Sequence, residues 1–101
     1  MIDKGELDWK VIAVRSEDVL AKELTDIDDL LTQYPHVVSG IREWFRWYKC
    51  PDGKALNSFG YDERALSAAD AGVVIEETHQ YWRDLVSGKI TNDGNLWLPK
   101  H

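Results

Sequence analysis

One β-branched run constrains this chain more than any other feature. Trp9 to Val14 reads WKVIAV, which is of strand length and apolar enough for a central strand covered on both faces. A strand leaves N–H and C=O groups unpaired at both edges, and even a two-stranded hairpin is marginal in water. The remaining sequence hardly supplies partners. The expectation is therefore a portion of a larger fold, or a chain that assembles with further copies as a homo-oligomer.

The helical part reads more plainly. A short helix is expected over Asp26 to Tyr34, with Thr25 as N-cap and Asp26, Asp28 and Asp29 near its positive end. Pro35 ends that segment and opens the next as a first-turn proline. From His36 to Lys49 the apolar residues Val37, Val38, Ile41, Trp44, Phe45 and Tyr48 trace one helical stripe, a predicted core face. Cys50-Pro51-Asp52-Gly53 stops it in a turn. Residues 54–63 read as a connection with a short extended piece around Asn57 to Tyr61. Ser67, with Asp70 three later, opens a last helix bearing Ala71, Val74, Ile75, Thr78, Trp82 and Leu85 on one side. Gly72 weakens it, Gly88 is a natural stop, and Asn92-Asp93-Gly94 marks a tight turn in the tail.

Size and charge narrow the function classes. At 101 residues, 44% hydrophobic and 30% charged, the chain suits one small globular domain or a piece of one. A formal net charge of −6 disfavours non-specific binding to nucleic acid or to an anionic membrane. No apolar run approaches the roughly 18 residues of a membrane span, and MIDKGELDWK lacks the apolar stretch of a signal peptide. A single cysteine, Cys50, rules out an internal disulfide and fits a reducing, cytoplasmic setting.

Chemistry concentrates in Asp3-x-x-Glu6-x-Asp8-x-Lys10. Hard divalent cations bind through one or two carboxylates together with phosphate oxygens. Asp8 and Lys10 lie two apart in an extended segment, so they share a side. A carboxylate holding a metal beside an ammonium holding a phosphate is half of a phosphoryl-transfer site. A solvated acidic segment accounts for the same residues, and spacing alone favours it. Likewise Tyr48-Lys49 is either a phenol and an ammonium presented to one anion, or a core aromatic beside a helix-terminal lysine. His79 reads as a packed histidine, Cys50 lacks a partner, and Lys54 reads as solvated. No EF-hand loop, Gly-rich phosphate loop or G-x-S-x-G element is present.

In order, MIDKGELDWKVIAV, EWFRWYKCPDGK, NSF and ETHQYW resemble the carboxyl-terminal half of soluble family I inorganic pyrophosphatases of the eukaryotic type, from residue 1 to about residue 89. The resemblance implies an α+β fold: the carboxyl-terminal part of an OB-like β-barrel, here one or two strands, two main helices and one short helix. It implies a single partial domain, with a metal and phosphate segment and barrel strand over 1–14, helices over 26–50 and 67–88, and a tail over 89–101. The implied activity is Mg²⁺-dependent hydrolysis of inorganic diphosphate to two phosphates. Matched to the family's D-x-x-x-x-D-W-K stretch, Asp3 and Asp8 would coordinate Mg²⁺ and Lys10 would bind a phosphate oxygen. Matched to its Y-K pair, Tyr48 and Lys49 would hold the electrophilic or leaving phosphate. Glu6 falls where the family does not usually assign a metal ligand.

The family's D-x-D-P-x-D signature, with the carboxylate that activates water, has no counterpart in these residues. The expectation is accordingly an incomplete enzyme with no catalytic residue of its own. A non-catalytic interaction module derived from the same fold, a pseudoenzyme, is the alternative. A plain helical domain with a solvated acidic segment is the third reading.

Overall fold

The computed structural model describes residues 1–100. They divide into two compact units, Met1–Ala68 and the residues from Ala69 onward. The elements are two strands, β1 (Ile2–Asp3) and β2 (Glu6–Leu7), and three α-helices, α1 (Ile27–Gln33), α2 (Pro35–Trp47) and α3 (Ala68–Val86). Short 3₁₀ turns lie at Val19–Lys22, Cys50–Asp52 and Tyr61–Glu63. The count of two strands, two main helices and one short helix agrees with the expectation.

The strands are not where the β-branched run predicted one. Residues 9–15 have no regular structure, and Val11, Ile12 and Val14 are exposed. High strand propensity describes a fit to a pleated, half-buried surface, and no described strand pairs with this segment. The pairing lies just before it, in an antiparallel hairpin with Ile2 opposite Leu7 and Asp3 opposite Glu6. Its two-residue turn has positive φ at both Lys4 (52°) and Gly5 (79°), which matches the twist of a tight hairpin. Ser58 adds an isolated bridge to the free edge of β1, with Ile2 N–H donating to the Ser58 carbonyl at 2.7 Å. An extended piece around Asn57 to Tyr61 is thus reduced to one bridging residue.

α1 starts one residue later than expected. Asp26, not Thr25, is its N-cap, and Asp29 closes a reciprocal capping box. Thr25 supports Asp29 instead, its hydroxyl donating to the carboxylate at 2.8 Å. The same Asp26 oxygen that accepts from Ile27 N–H at 2.6 Å also accepts from Ala68 N–H at 2.8 Å. One carboxylate oxygen therefore serves two backbone donors, at Ile27 and at Ala68. Pro35 occupies the first turn of α2, and α1 packs against α2 across the Tyr34 corner.

The end of α2 is held by a residue far along the chain. A helix leaves its last carbonyls without partners. The Asn57 side-chain amide donates to the Phe45 carbonyl at 2.8 Å, and Asn57 N–H donates to the Arg46 carbonyl at 3.1 Å. Asn57 is buried, as are Met1 and Val38. Since Ser58 bridges β1, this one dipeptide ties the helix end to the hairpin.

The predicted core stripe of α2 is only partly buried. Val38 is buried and Phe45 is half-buried, whereas Val37, Ile41, Trp44 and Tyr48 are exposed. Those four recur at helical spacing, so they form an apolar face that no described element of the first unit covers.

In the second unit α3 runs on from Ala68, the residue after Ser67. Ala71, Val74 and Leu85 are half-buried, while Ile75 and Trp82 are exposed. Gly88, with φ of 83°, follows its end, and Gly88 N–H donates to the Leu85 carbonyl at 3.2 Å.

Replacing Asn57 with Ala should lower the unfolding free energy by about 1–3 kcal/mol, because a part-buried carbonyl loses its donor. Urea denaturation measures this, and unchanged stability would refute the pinning role of the side chain.

Candidate metal and phosphate site

The five residues singled out in the sequence lie in the first unit, on two structures joined by Asn57 and Ser58. Asp3 ends β1, and Asp8 follows β2, its N–H donating to the Met1 carbonyl at 2.8 Å. Tyr48 caps the end of α2, and Lys49 starts the 3₁₀ turn that the Cys50-Pro51-Asp52-Gly53 stop predicts. Gly53 completes that turn with φ of 77°.

The contacts run as one chain of groups. Lys49 Nζ donates to Asp3 Oδ1 at 2.5 Å, across 46 residues of sequence. Lys10 Nζ donates to Asp8 Oδ2 at 3.1 Å, so these two do share a side. The Lys10 ammonium sits 5.0 Å above the centre of the Phe45 ring. Phe45 meets the Tyr48 ring edge-on at 5.8 Å, and Lys49 Nζ lies 5.8 Å from the Tyr48 ring centre. Tyr48 is further braced by Trp44, stacked at 5.0 Å with 7° between planes. Asp8, Lys10, Phe45, Tyr48, Lys49 and Asp3 are therefore linked in sequence by direct contacts.

Electrostatics follow from these pairings. The Lys49 hydrogen bond holds the Asp3 carboxyl below the usual carboxylate range, with added attraction from Lys49, Lys4 and Lys54. The Asp3 hydrogen bond raises Lys49 above an ordinary lysine, and the negative charges of Asp3 and Asp8 push in the same direction. Lys49 is the more sheltered partner, its side chain 13% exposed against 33% for Asp3.

Two carboxylates suit a hard cation, which takes oxygen ligands and commonly uses one or two acidic side chains. The Lys49 ammonium is already a positive charge held by Asp3 and attracted by Asp8, so the donor set fits a cation. Among the described residues no group of three or more His, Cys, Asp or Glu side chains gathers in a metal-binding arrangement. Among the described residues the two carboxylates Asp3 and Asp8 remain the candidates, without a third acidic, His or Cys group gathered beside them. Glu6 lies opposite Asp3 in the hairpin and is exposed. His79 packs against Trp82 at 5.6 Å between ring centres, in the other unit.

Sequence reasoning missed the groups that brace this patch. Trp9 packs on Tyr61 at 5.6 Å, which fixes the segment between Asp8 and Lys10. Tyr61, Asp62 and Glu63 all have positive φ, a costly conformation for residues with a Cβ. Arg46 holds Glu63 through an ion pair at 2.5 Å, and Arg42 donates to the Glu63 carbonyl at 3.0 Å. Arg46 also pairs with Glu43 at 2.9 Å and lies over Phe59 at 5.4 Å. The i, i+3 spacing of Glu43 and Arg46 was legible, but Glu63 comes 17 residues later and carries no local signal.

This geometry sits in a chain whose relatives are plain. Residues 1–83 match the family model described as inorganic pyrophosphatase, so the chain belongs to the inorganic pyrophosphatase family. It is similar to the chloroplastic soluble inorganic pyrophosphatase 1 of Chlamydomonas reinhardtii, 44% identical over 97% of this chain and 35% of that protein. The inorganic pyrophosphatase of Candida glabrata is 41% identical over 97% of this chain and 34% of its own length. In structure the chain resembles the type I inorganic pyrophosphatase of Toxoplasma gondii, with a TM-score of 0.78 and 52% identity over 83% of this chain and 37% of that one. The Schistosoma japonicum inorganic pyrophosphatase gives a TM-score of 0.82 and 41% identity over 86% of this chain and 31% of that one. The chain spans about a third of the length of these relatives, and its fold is that of part of a type I pyrophosphatase.

Stability should depend on pH through the Asp3–Lys49 pair. The depressed Asp3 contributes fully above about pH 4 and loses its contribution as pH falls through its folded value. The raised Lys49 contributes fully below about pH 10 and loses its contribution as pH rises through its folded value. Asp3→Asn should shrink both losses, with Asp26 and Asp29 still sustaining part of the acid one. Urea midpoints measured from pH 3 to 11 check this, and an alkaline limb identical in wild type and variant would rule it out.

Proposed function

We propose that this chain is the carboxyl-terminal portion of a Mg²⁺-dependent inorganic diphosphatase, contributing one side of the pocket that hydrolyses diphosphate to two phosphates. The observation that carries the reading is the 2.5 Å contact between Lys49 and Asp3, which brings a phosphate-binding and a metal-binding candidate together across 46 residues. Asp3 and Asp8 would hold Mg²⁺. When bound, the cation supplies positive charge that neutralises phosphoryl oxygens and acidifies water. Lys10 and Lys49 would bind phosphate oxygens as point charges, and the Tyr48 hydroxyl would donate to the same anion. The Trp44 stack and the Phe45 edge hold that phenol in one orientation, which favours a fixed substrate pose.

The base that activates the attacking water would come from outside these residues. Two carboxylates leave most positions of an octahedral ion to water, substrate and groups outside this chain. Alone, the 101 residues should turn over diphosphate at a small fraction of the rate of a full-length relative. A phosphate-release assay with Mg²⁺ and diphosphate checks that; turnover within about tenfold of the relative would overturn it, since missing positioning alone costs several kcal/mol. A reducing compartment such as the cytoplasm suits the single free thiol of Cys50, which is half-buried.

A second reading, a non-catalytic module that docks on another polypeptide, draws on the exposed face of Val37, Ile41, Trp44 and Tyr48. Exposed aromatic residues of this kind are enriched at protein interfaces. Mixed with an intact pyrophosphatase, the module should form a stable heteromer seen as a mass increase by light scattering. Unchanged mass would remove this reading.

A further inference from the structure

Each candidate metal ligand in this patch is already neutralised by a candidate phosphate ligand. Asp3 is held by Lys49 at 2.5 Å and Asp8 by Lys10 at 3.1 Å. The two pairs differ in kind. Lys10 and Asp8 are neighbours in sequence with side chains 36% and 43% exposed, so water competes readily for both. Lys49 and Asp3 come from different elements, and the lysine is mostly sheltered. Lys49 occupies Asp3 Oδ1; a cation that takes that oxygen displaces the ammonium, and an oxyanion drawn to Lys49 competes with the same carboxylate.

We infer that Lys49 is a tethered counter-ion that Asp3 releases on binding a divalent cation, so that cation and oxyanion each promote binding of the other at this site. The inference deepens the diphosphatase reading and rests on it, because it takes Asp3 as a cation ligand and Lys49 as an anion ligand. The coupling follows from linkage. Breaking the Asp3–Lys49 pair opposes the binding of either ion alone, but it is broken only once when both bind. The first ion therefore lowers the cost of admitting the second. The displaced ammonium does not go far. Tyr48 precedes it with its ring 5.8 Å away, stacked on Trp44, and the turn at Cys50–Asp52 follows, closed by Gly53 N–H donating to the Cys50 carbonyl at 2.9 Å. Its backbone is thus fixed on both sides while the side chain exchanges partners.

Lys54 supplies the comparison that separates a latch from simple charge. It also acts on Asp3 electrostatically, yet it is exposed and Asp3 takes its hydrogen bond from Lys49. Removing any positive charge near Asp3 should tighten cation binding somewhat; removing the one that occupies the carboxylate should tighten it more.

The experiment titrates the full chain with Mg²⁺ by calorimetry, in wild type, Lys49→Met and Lys54→Met, without anion and then with saturating inorganic phosphate. The expected result is that Lys49→Met strengthens Mg²⁺ binding at least about threefold beyond Lys54→Met, and that phosphate strengthens Mg²⁺ binding in wild type but far less in Lys49→Met. In wild type the carbon NMR signal of Lys49 Cε should shift on adding Mg²⁺ alone, a readout that stands even where a variant fails to fold. If Mg²⁺ binds while that signal stays put, or Lys49→Met gains no more than Lys54→Met, the latch is overturned and the metal-site reading survives. If Mg²⁺ at millimolar concentration binds none of the three proteins, the metal-site reading falls and the latch falls with it.

Discussion

Asn57 carries the constraint on which the rest of the first unit depends. The end of α2 has carbonyls that its own helix cannot satisfy, and Asn57 supplies donors to two of them, one from its side chain and one from its backbone. The next residue, Ser58, completes the edge of β1. A helix terminus and a hairpin that would otherwise be marginal are thereby fastened at a single point. Tyr48 and Lys49 leave the helix on one side of that fastening, and Asp3 sits at the end of the strand on the other. The contact between Lys49 and Asp3 spans that fastening.

A patch assembled this way is charge-balanced before any ligand arrives. Opposite charges held at hydrogen-bond distance are stabilising only to the extent that they are sheltered, and the sheltered member here is Lys49. Around it the aromatic rings of Trp44, Phe45 and Tyr48 form a rigid support, while Trp9 and Tyr61 brace the opposite segment. The strained run Tyr61–Glu63 is held in place by Arg42 and Arg46 of α2, whose contacts to Glu63 help offset the backbone strain. The exposed apolar residues of α2 and the exposed Val11, Ile12 and Val14 are left uncovered by the described elements of the first unit.

The helices were legible because their signals are local. Pro35 at the start of α2, the stripe from Val37 to Tyr48, the stop at Cys50–Gly53 and the glycine after α3 each act within one or two turns of backbone. The shift of the cap from Thr25 to Asp26 is of the same local kind, one acidic residue outcompeting its neighbour because its carboxylate also reaches Ala68. The strand reading went astray for a different reason. WKVIAV has the composition of a strand, but a strand exists only with a partner, and the pairing fell instead to Ile2–Leu7, whose Lys-Gly turn is a weak signal beside Asn-Gly.

Residue types and their spacing along the chain alone determined the helices, the turn that presents Tyr48 and Lys49, the acidic segment carrying Asp3 and Asp8, and the family likeness, since each depends on residues near one another in sequence. Only tertiary structure decided which lysine meets which aspartate, which tryptophan braces which tyrosine, and that a buried asparagine would close a helix. Those outcomes turn on backbone groups left over by one element being satisfied by another many residues away, and no local pattern encodes that pairing.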